Sequence, residues 1–255
     1  MMTDLLPLGA SCLLIACLGA SLGSFAHAAA VRMVLGEDPV KQPSACFECR
    51  KTLTIWQNIP LLSFIRQKGR CACGELWIPV RYFLCEFGIA VIAVALWLLY
   101  EPVLAALLLL CLTLCLIQAI HDWLSLTLDT RLTALIALGG VSLTLIDGWH
   151  ISLASAMLSA ATGYVIVAVT VWLYRLWRKV DGYGAGDKWL MAAVASYTEM
   201  PIAIGLFFAA NMLGAVFSII VMQRQGNGQT KIAFGSFILL VALLWLLGSS
   251  LAGIV

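Results

Sequence analysis

Apolar runs long enough to cross a bilayer recur along this chain, and every basic residue falls in alternate gaps between them. A transmembrane helix needs about 20 apolar residues. Eight candidate runs can be marked, at roughly 5–29, 82–100, 102–121, 130–147, 150–174, 188–200, 201–222 and 232–254. The 15 Lys and Arg residues lie in the 30–81 segment (Arg32, Lys41, Arg50, Lys51, Arg66, Lys68, Arg70 and Arg81), at Arg131, at Arg175, Arg178, Lys179 and Lys188, and at Arg224 and Lys231. The gaps at 100–102, 147–150 and 199–201 contain none. A wrong number of crossings would scatter these charges over both faces. The positive-inside rule makes the basic face cytoplasmic, with both termini outside.

Backbone groups in lipid must be satisfied internally, so the spans are expected to be helices. The fold expected is all-α, a polytopic membrane protein of about eight transmembrane helices. Composition agrees: 62% of residues are hydrophobic and 11% charged, too few polar groups to clothe a soluble domain. The first run follows Asp4 rather than a basic stretch, so it reads as a retained span and not a cleaved leader. Three regions follow: a first helix at 1–29, a cytoplasmic Cys-rich loop at 30–81 and a seven-helix core at 82–255.

Nine cysteines divide unevenly. Cys12, Cys17, Cys85, Cys111 and Cys115 lie in apolar runs, where Cys behaves as a small hydrophobe. Cys46, Cys49, Cys71 and Cys73 cluster in the polar loop. Two close pairs about twenty residues apart suit a tetrahedral thiolate zinc site. A cytoplasmic loop disfavours disulfides. Such a site would be structural, since four protein ligands leave no place for substrate. The alternative is four incidental thiols.

Acids near the spans are the chemical suspects. Asp122 closes the third run in Ile120-His121-Asp122-Trp123, and Asp129 follows seven residues later, close to two turns if the helix continues. Asp187 ends the glycine-rich Asp181-Gly-Tyr-Gly-Ala-Gly-Asp187, a turn that allows close backbone approach. Eight crossings put Asp122 and Asp187 on one face. Two neighbouring carboxyls share a proton, so one can act as general base while the other acts as acid. Each acid alone also admits a plainer reading, as an interface marker or a helix cap. In the first run, Gly19 and Gly23 could serve helix packing or face a substrate.

The order of these pieces resembles the bacterial type IV prepilin peptidases, membrane aspartyl peptidases with a Gly-x-Gly-Asp type motif. The likeness rests on Gly23-Ser-Phe25 with Arg32, Cys46-x-x-Cys49, Asn58-Ile-Pro60, Lys68-Gly-Arg70-Cys71, Arg81-Tyr82 with Glu86, Gly184-Ala-Gly186-Asp187-Lys188 and Ala233-Phe234-Gly235. It implies an endopeptidase that removes a short basic leader from a prepilin or pseudopilin at the cytoplasmic face of the bacterial inner membrane. It also implies N-methylation of the new terminus with S-adenosylmethionine, and service to a pilus or secretion machinery; no nucleic acid partner is expected. By the motif match, Asp122 and Asp187 would be the catalytic pair, the 82–255 core the peptidase, and Cys46, Cys49, Cys71 and Cys73 the zinc ligands. The chain departs from the pattern at His27, where the family usually has Asn, and at Leu128, where it usually has Pro. The step from Asp122 to Asp129 is one residue short. A one-residue gap keeps Asp122 rather than His121 in the dyad, with Asp129 as the alternative.

Two other readings compete. A proton-coupled transporter would carry its acids near the bilayer midplane. A non-catalytic assembly component would keep the fold with a degenerate site.

Overall fold

The computed structural model describes residues 7–46, 49, 51–71, 77–179, 184–225 and 232–251. Cys73 and the 181–183 part of the glycine-rich turn lie outside the described residues. Nine α-helices occur among the described residues: α1 (Leu8–Val34), α2 (Leu62–Arg66), α3 (Val80–Leu99), α4 (Pro102–Ser125), α5 (Thr130–Leu143), α6 (Leu153–Arg178), α7 (Asp187–Ala195), α8 (Met200–Gln225) and α9 (Phe234–Leu251). The only extended pairings among these residues are two isolated bridges, Ala45 with Thr52 and Arg70 with Trp77. The all-helical membrane architecture is as expected.

Helices occupy all eight expected positions, and α2 is an extra turn in the loop. Five are long and apolar enough to cross a membrane, namely α1, α3, α4, α6 and α8. α5, with 14 residues, and α7, with nine, fall short of that length. α9 contributes the shorter apolar stretch Phe234–Leu246. Among the described residues, five helices thus meet the length and composition of a crossing, where the charge pattern suggests eight. Helix starts follow local chemistry. Pro102 opens α4, where a missing N–H costs nothing. Ser152 caps α6 by accepting from the Ser155 amide at 3.2 Å.

The chain divides into two compact units, Met1–Thr113 and Leu114–Val255. In the first, α1 lies along α3 at very close range. A methyl added at Gly19 would sit 2.7 Å from Ala93 Cβ, and one added at Gly23 would run into the Cys85 carbonyl. These glycines therefore serve helix packing. One turn on, the buried His27 ring meets Tyr82 with centroids 3.9 Å apart. α1 continues past the expected end near residue 29 to Val34, and its Arg32 guanidinium donates to the Pro39 and Pro43 carbonyls at 2.9 and 3.3 Å. α2 is tied to α3 twice. The Phe64 ring meets Phe83 at 5.2 Å, and the Leu61 amide donates to Glu86 Oε2 at 2.7 Å.

The second unit has a continuous apolar core that includes Ile136, Val167, Leu190, Met191, Phe207 and Ile238. Short α7 is almost wholly enclosed, with Leu190, Met191, Ala193, Val194 and Ala195 buried. Gly163 of α6 makes room for it: a methyl there would lie 2.9 Å from Ala195 Cβ. Beyond α7, Ser196 Oγ donates to the Ala193 carbonyl at 2.7 Å and Thr198 Oγ1 to that of Ala195 at 3.1 Å. Tyr197 donates its hydroxyl to the Ile136 carbonyl of α5 at 2.6 Å.

Candidate active site

Asp122 and Asp187 both belong to the second unit, and both are 4% exposed. Asp122 lies in the last turn of α4, and Asp187 is the first residue of α7. They are close enough for the Asp122 charge to act on Asp187. Burial pushes the Asp187 carboxyl up to about 6; the Gly184 amide opposes the rise, and the Asp122 charge adds to it. The Gly184 amide donates to Asp187 Oδ2 at 2.7 Å, so the glycine-rich turn folds back on its own acid.

Asp122 is held from across the fold. Ser236, in the first turn of α9, donates its amide to Asp122 Oδ2 at 2.8 Å. Its hydroxyl also lies 3.2 Å from that oxygen and 2.9 Å from the Ala119 carbonyl, so its one proton serves either acceptor. A helix N-terminus offers free N–H groups and a partial positive charge, the contacts a charged carboxylate needs away from water. The preceding residue must be small. A methyl on Gly235 would fall 2.9 Å from Asp122 Oδ2, 2.8 Å from Leu128 Cδ2 and 3.1 Å from Leu190 Cδ2. Leu128 also abuts Gly186, where an added Cβ would be 3.1 Å from its Cδ1. One leucine side chain therefore wedges between the starts of α7 and α9.

Asp129 goes elsewhere. Its Oδ1 accepts from the Arg131 and Leu132 amides at 2.8 and 3.0 Å, capping α5. His121 turns into the loop after α4, with Nδ1 3.0 Å from the Thr127 carbonyl. The structure brings Asp122 and Asp187 together and gives Asp129 a capping role. Ser236 was not singled out from the sequence. The Ala233-Phe234-Gly235 motif stops one residue before it, and only the meeting of α9 with α4 reveals its part.

In the first unit, the sulfurs of Cys46, Cys49 and Cys71 lie within 4.8 Å of one another, with Cys49 and Cys71 at 3.6 Å. Zinc–sulfur bonds of about 2.3 Å at tetrahedral angles put ligand sulfurs about 3.8 Å apart. Three thiolates at these separations fit three corners of such a site. Cys73, expected as the fourth ligand, lies outside the described residues.

Two family models match the chain. The Bacterial Peptidase A24 N-terminal domain covers residues 17–100, and the Type IV leader peptidase family covers residues 106–219. Similar curated proteins are named prepilin leader peptidase/N-methyltransferase. The one from Aeromonas salmonicida (strain A449) is 30% identical over 207 residues, 79% of this chain and 71% of the relative. That from Pseudomonas putida is 29% identical over 212 residues, 79% of this chain and 72% of the relative. That from Neisseria gonorrhoeae is 30% identical over 203 residues, 77% and 68% of the two chains. No solved structure matches this chain. Matches of this extent across both units show that the chain belongs to the type IV leader peptidase family.

Proposed function

We propose that this protein is a membrane aspartyl endopeptidase that removes the leader from prepilin-like precursors and N-methylates the new terminus. The observation that carries the reading is the pairing of two buried carboxyls in unlike surroundings. Asp187, raised to about 6 by burial, is suited to hold the shared proton. Asp122, facing the amide and hydroxyl of Ser236, is suited to carry the charge. In the proposed reaction Asp122 takes a proton from water as it attacks the scissile carbonyl. Asp187 gives its proton to the carbonyl oxygen; the proton held by Asp122 then passes to the leaving amine as the C–N bond breaks, and a hydroxyl proton of the diol returns to Asp187 as the carbonyl re-forms. The names of the relatives support the substrate class and the second activity.

The basic loops would face the cytoplasm across the bacterial inner membrane, with eight crossings dividing the chain into the 1–29 helix, the 30–81 loop and the 82–255 peptidase core. The precursors would be pilins or pseudopilins of a pilus or secretion machinery. Cys46, Cys49, Cys71 and Cys73 would hold a structural zinc that cross-links the loop. Methylation would draw on S-adenosylmethionine. Among the described residues there is no strand–glycine turn–helix unit of the kind that cradles such cofactors, and no residue is assigned to the donor.

Co-expression with a prepilin-type substrate tests the reading, with leader removal and N-terminal mass as readouts. Asp122→Ala and Asp187→Ala should each lower cleavage on the order of 10²–10⁴-fold while the protein still inserts. Asp129→Ala should cleave at a near-normal rate and lose about 1 kcal/mol of helix-cap stability. A gain of one methyl on the wild-type product would add the transferase. Normal processing by both dyad variants would refute the catalytic assignment, and no wild-type cleavage of any prepilin would favour the assembly-component reading.

A further inference from the structure

Among the described residues, the loop after α1 carries large apolar side chains that are exposed. Ile55 and Trp56 are 83% and 69% exposed, Leu62 and Ile65 are 64% each, and Trp77 is 67%. In a segment outside the spans, this much exposed apolar surface marks an interaction site. The side chains are presented on short helical turns. Ile55 and Trp56 sit on a one-turn 3-10 helix, Ile55–Gln57, closed by the Thr54 amide donating to Gln57 Oε1 at 3.0 Å. Leu62 and Ile65 are three apart on α2 and share a face. Phe64, on another face, anchors α2 to Phe83, and Leu61 is tied to Glu86.

These anchors set the level of the surface. Phe83 and Glu86 lie in the first two turns of α3, a helix apolar enough to span a bilayer. α2 is therefore held beside the point where that span enters the membrane, with Leu62 and Ile65 exposed on a face other than the one that packs on α3. Charge points the same way. Residues 51–71 include Lys51, Arg66, Lys68 and Arg70, all exposed, and no Asp or Glu. The Arg70 guanidinium lies over the Trp77 ring, 4.8 Å from its centroid. Apolar side chains with interspersed cations at a membrane boundary are what a segment lying in the headgroup layer requires.

We propose that the Ile55–Gln57 turn and α2 dock on the bilayer itself, with Ile55, Trp56, Leu62 and Ile65 in the headgroup–acyl boundary and the surrounding cations on anionic lipid phosphates. The Cys-rich loop then lies on the membrane and does not project into water. This inference makes no use of the carboxylate pair, so it stands or falls separately from the cleavage reading.

The test uses full-length protein in nanodiscs of zwitterionic or anionic phospholipid. Trp56 emission is isolated by subtracting the Trp56→Phe spectrum. In anionic discs it should be blue-shifted, lost to phospholipids brominated near the headgroup and protected from aqueous iodide; in zwitterionic discs the blue shift and the protection should be smaller. Wild-type protein with a photoactivatable phospholipid should cross-link within residues 55–66, a readout that does not depend on how the variant folds. Red-shifted emission open to iodide in anionic discs, with no lipid cross-link, would overturn the proposal. Protection that arises only on adding a prepilin peptide would overturn it too, and would assign the surface to the substrate's apolar segment.

Discussion

The aspartate site and the Cys-rich loop are the two polar centres of this molecule, and they are ordered by different physics. Asp122 and Asp187 sit on helices packed into a continuous core, and their partners are backbone amides fixed by helix and turn geometry. The loop has two isolated bridges, two short helical turns and several exposed large hydrophobes. Its order depends on a few cross-links, among them the thiol cluster, Phe64 on Phe83 and Glu86 on Leu61. Proton chemistry needs carboxyls held in place and shielded from bulk water, which helix packing supplies. A recognition or docking segment needs surface, and a segment of this size cannot have both a large core and a large apolar surface.

Metal removal should break the comparison most sharply. Structural zinc contributes on the order of 10 kcal/mol to the folding of small peptides. Chelation, or Cys49→Ser with Cys71→Ser, should abolish amide protection across residues 46–71 and leave α7 and the start of α9 protected. Equal loss in both regions would mean that they do not hold themselves together independently.

Next in size is a charge effect confined to the aspartate site. Between the ordinary carboxyl value of 3.8 and about 6, native Asp187 keeps a proton that the unfolded chain has lost. Native stability therefore falls as pH rises through that window. Asp187→Asn removes the titration and should raise the thermal midpoint at pH 7.5, by up to roughly 3 kcal/mol in stability, with no gain at pH 3.5. A gain of equal size at both pH values would refute the linkage.

Gly235→Ala probes packing at the same place. Its methyl meets Asp122, Leu128 and Leu190, and overpacking of this kind costs about 1–3 kcal/mol. Gly88→Ala, with nothing within 4 Å, is the control and should be neutral. The smallest effect belongs to Ser236→Ala, which deletes a hydroxyl donor but keeps the amide. A several-fold fall in cleavage rate, near 1 kcal/mol, is expected. No change would mean that the hydroxyl donates to the Ala119 carbonyl and not to Asp122.

The helices were legible because apolar run length and alternating charge are properties of contiguous sequence. Asp187 was legible for the same reason, since the glycines that fold around it are its neighbours. The choice between Asp122 and Asp129 was harder. Seven residues would put both on one face only if α4 continued. It ends at Ser125, and Leu126 takes the left-handed conformation with φ 56°, so Asp129 begins a new helix and caps it. The runs at 102–121 and 130–147 imply a break between them, but the residue types do not say where in that gap α4 stops. Ser236 was out of reach because its partner is 114 positions away, and only tertiary packing joins them.

Short α7 carries a consequence of its own. Nine residues rise about 14 Å, less than half of a bilayer's hydrocarbon thickness. Its last carbonyls end up inside the second unit, where Ala193 and Ala195 are 2% and 0% exposed. Ser196 and Thr198 bring hydroxyls to two of them, and Tyr197 ties the same corner to α5. These side chains act as a resident solvent, built into the chain at a buried helix end. Through them the start of α7, and Asp187 with it, is anchored from the opposite end of the helix.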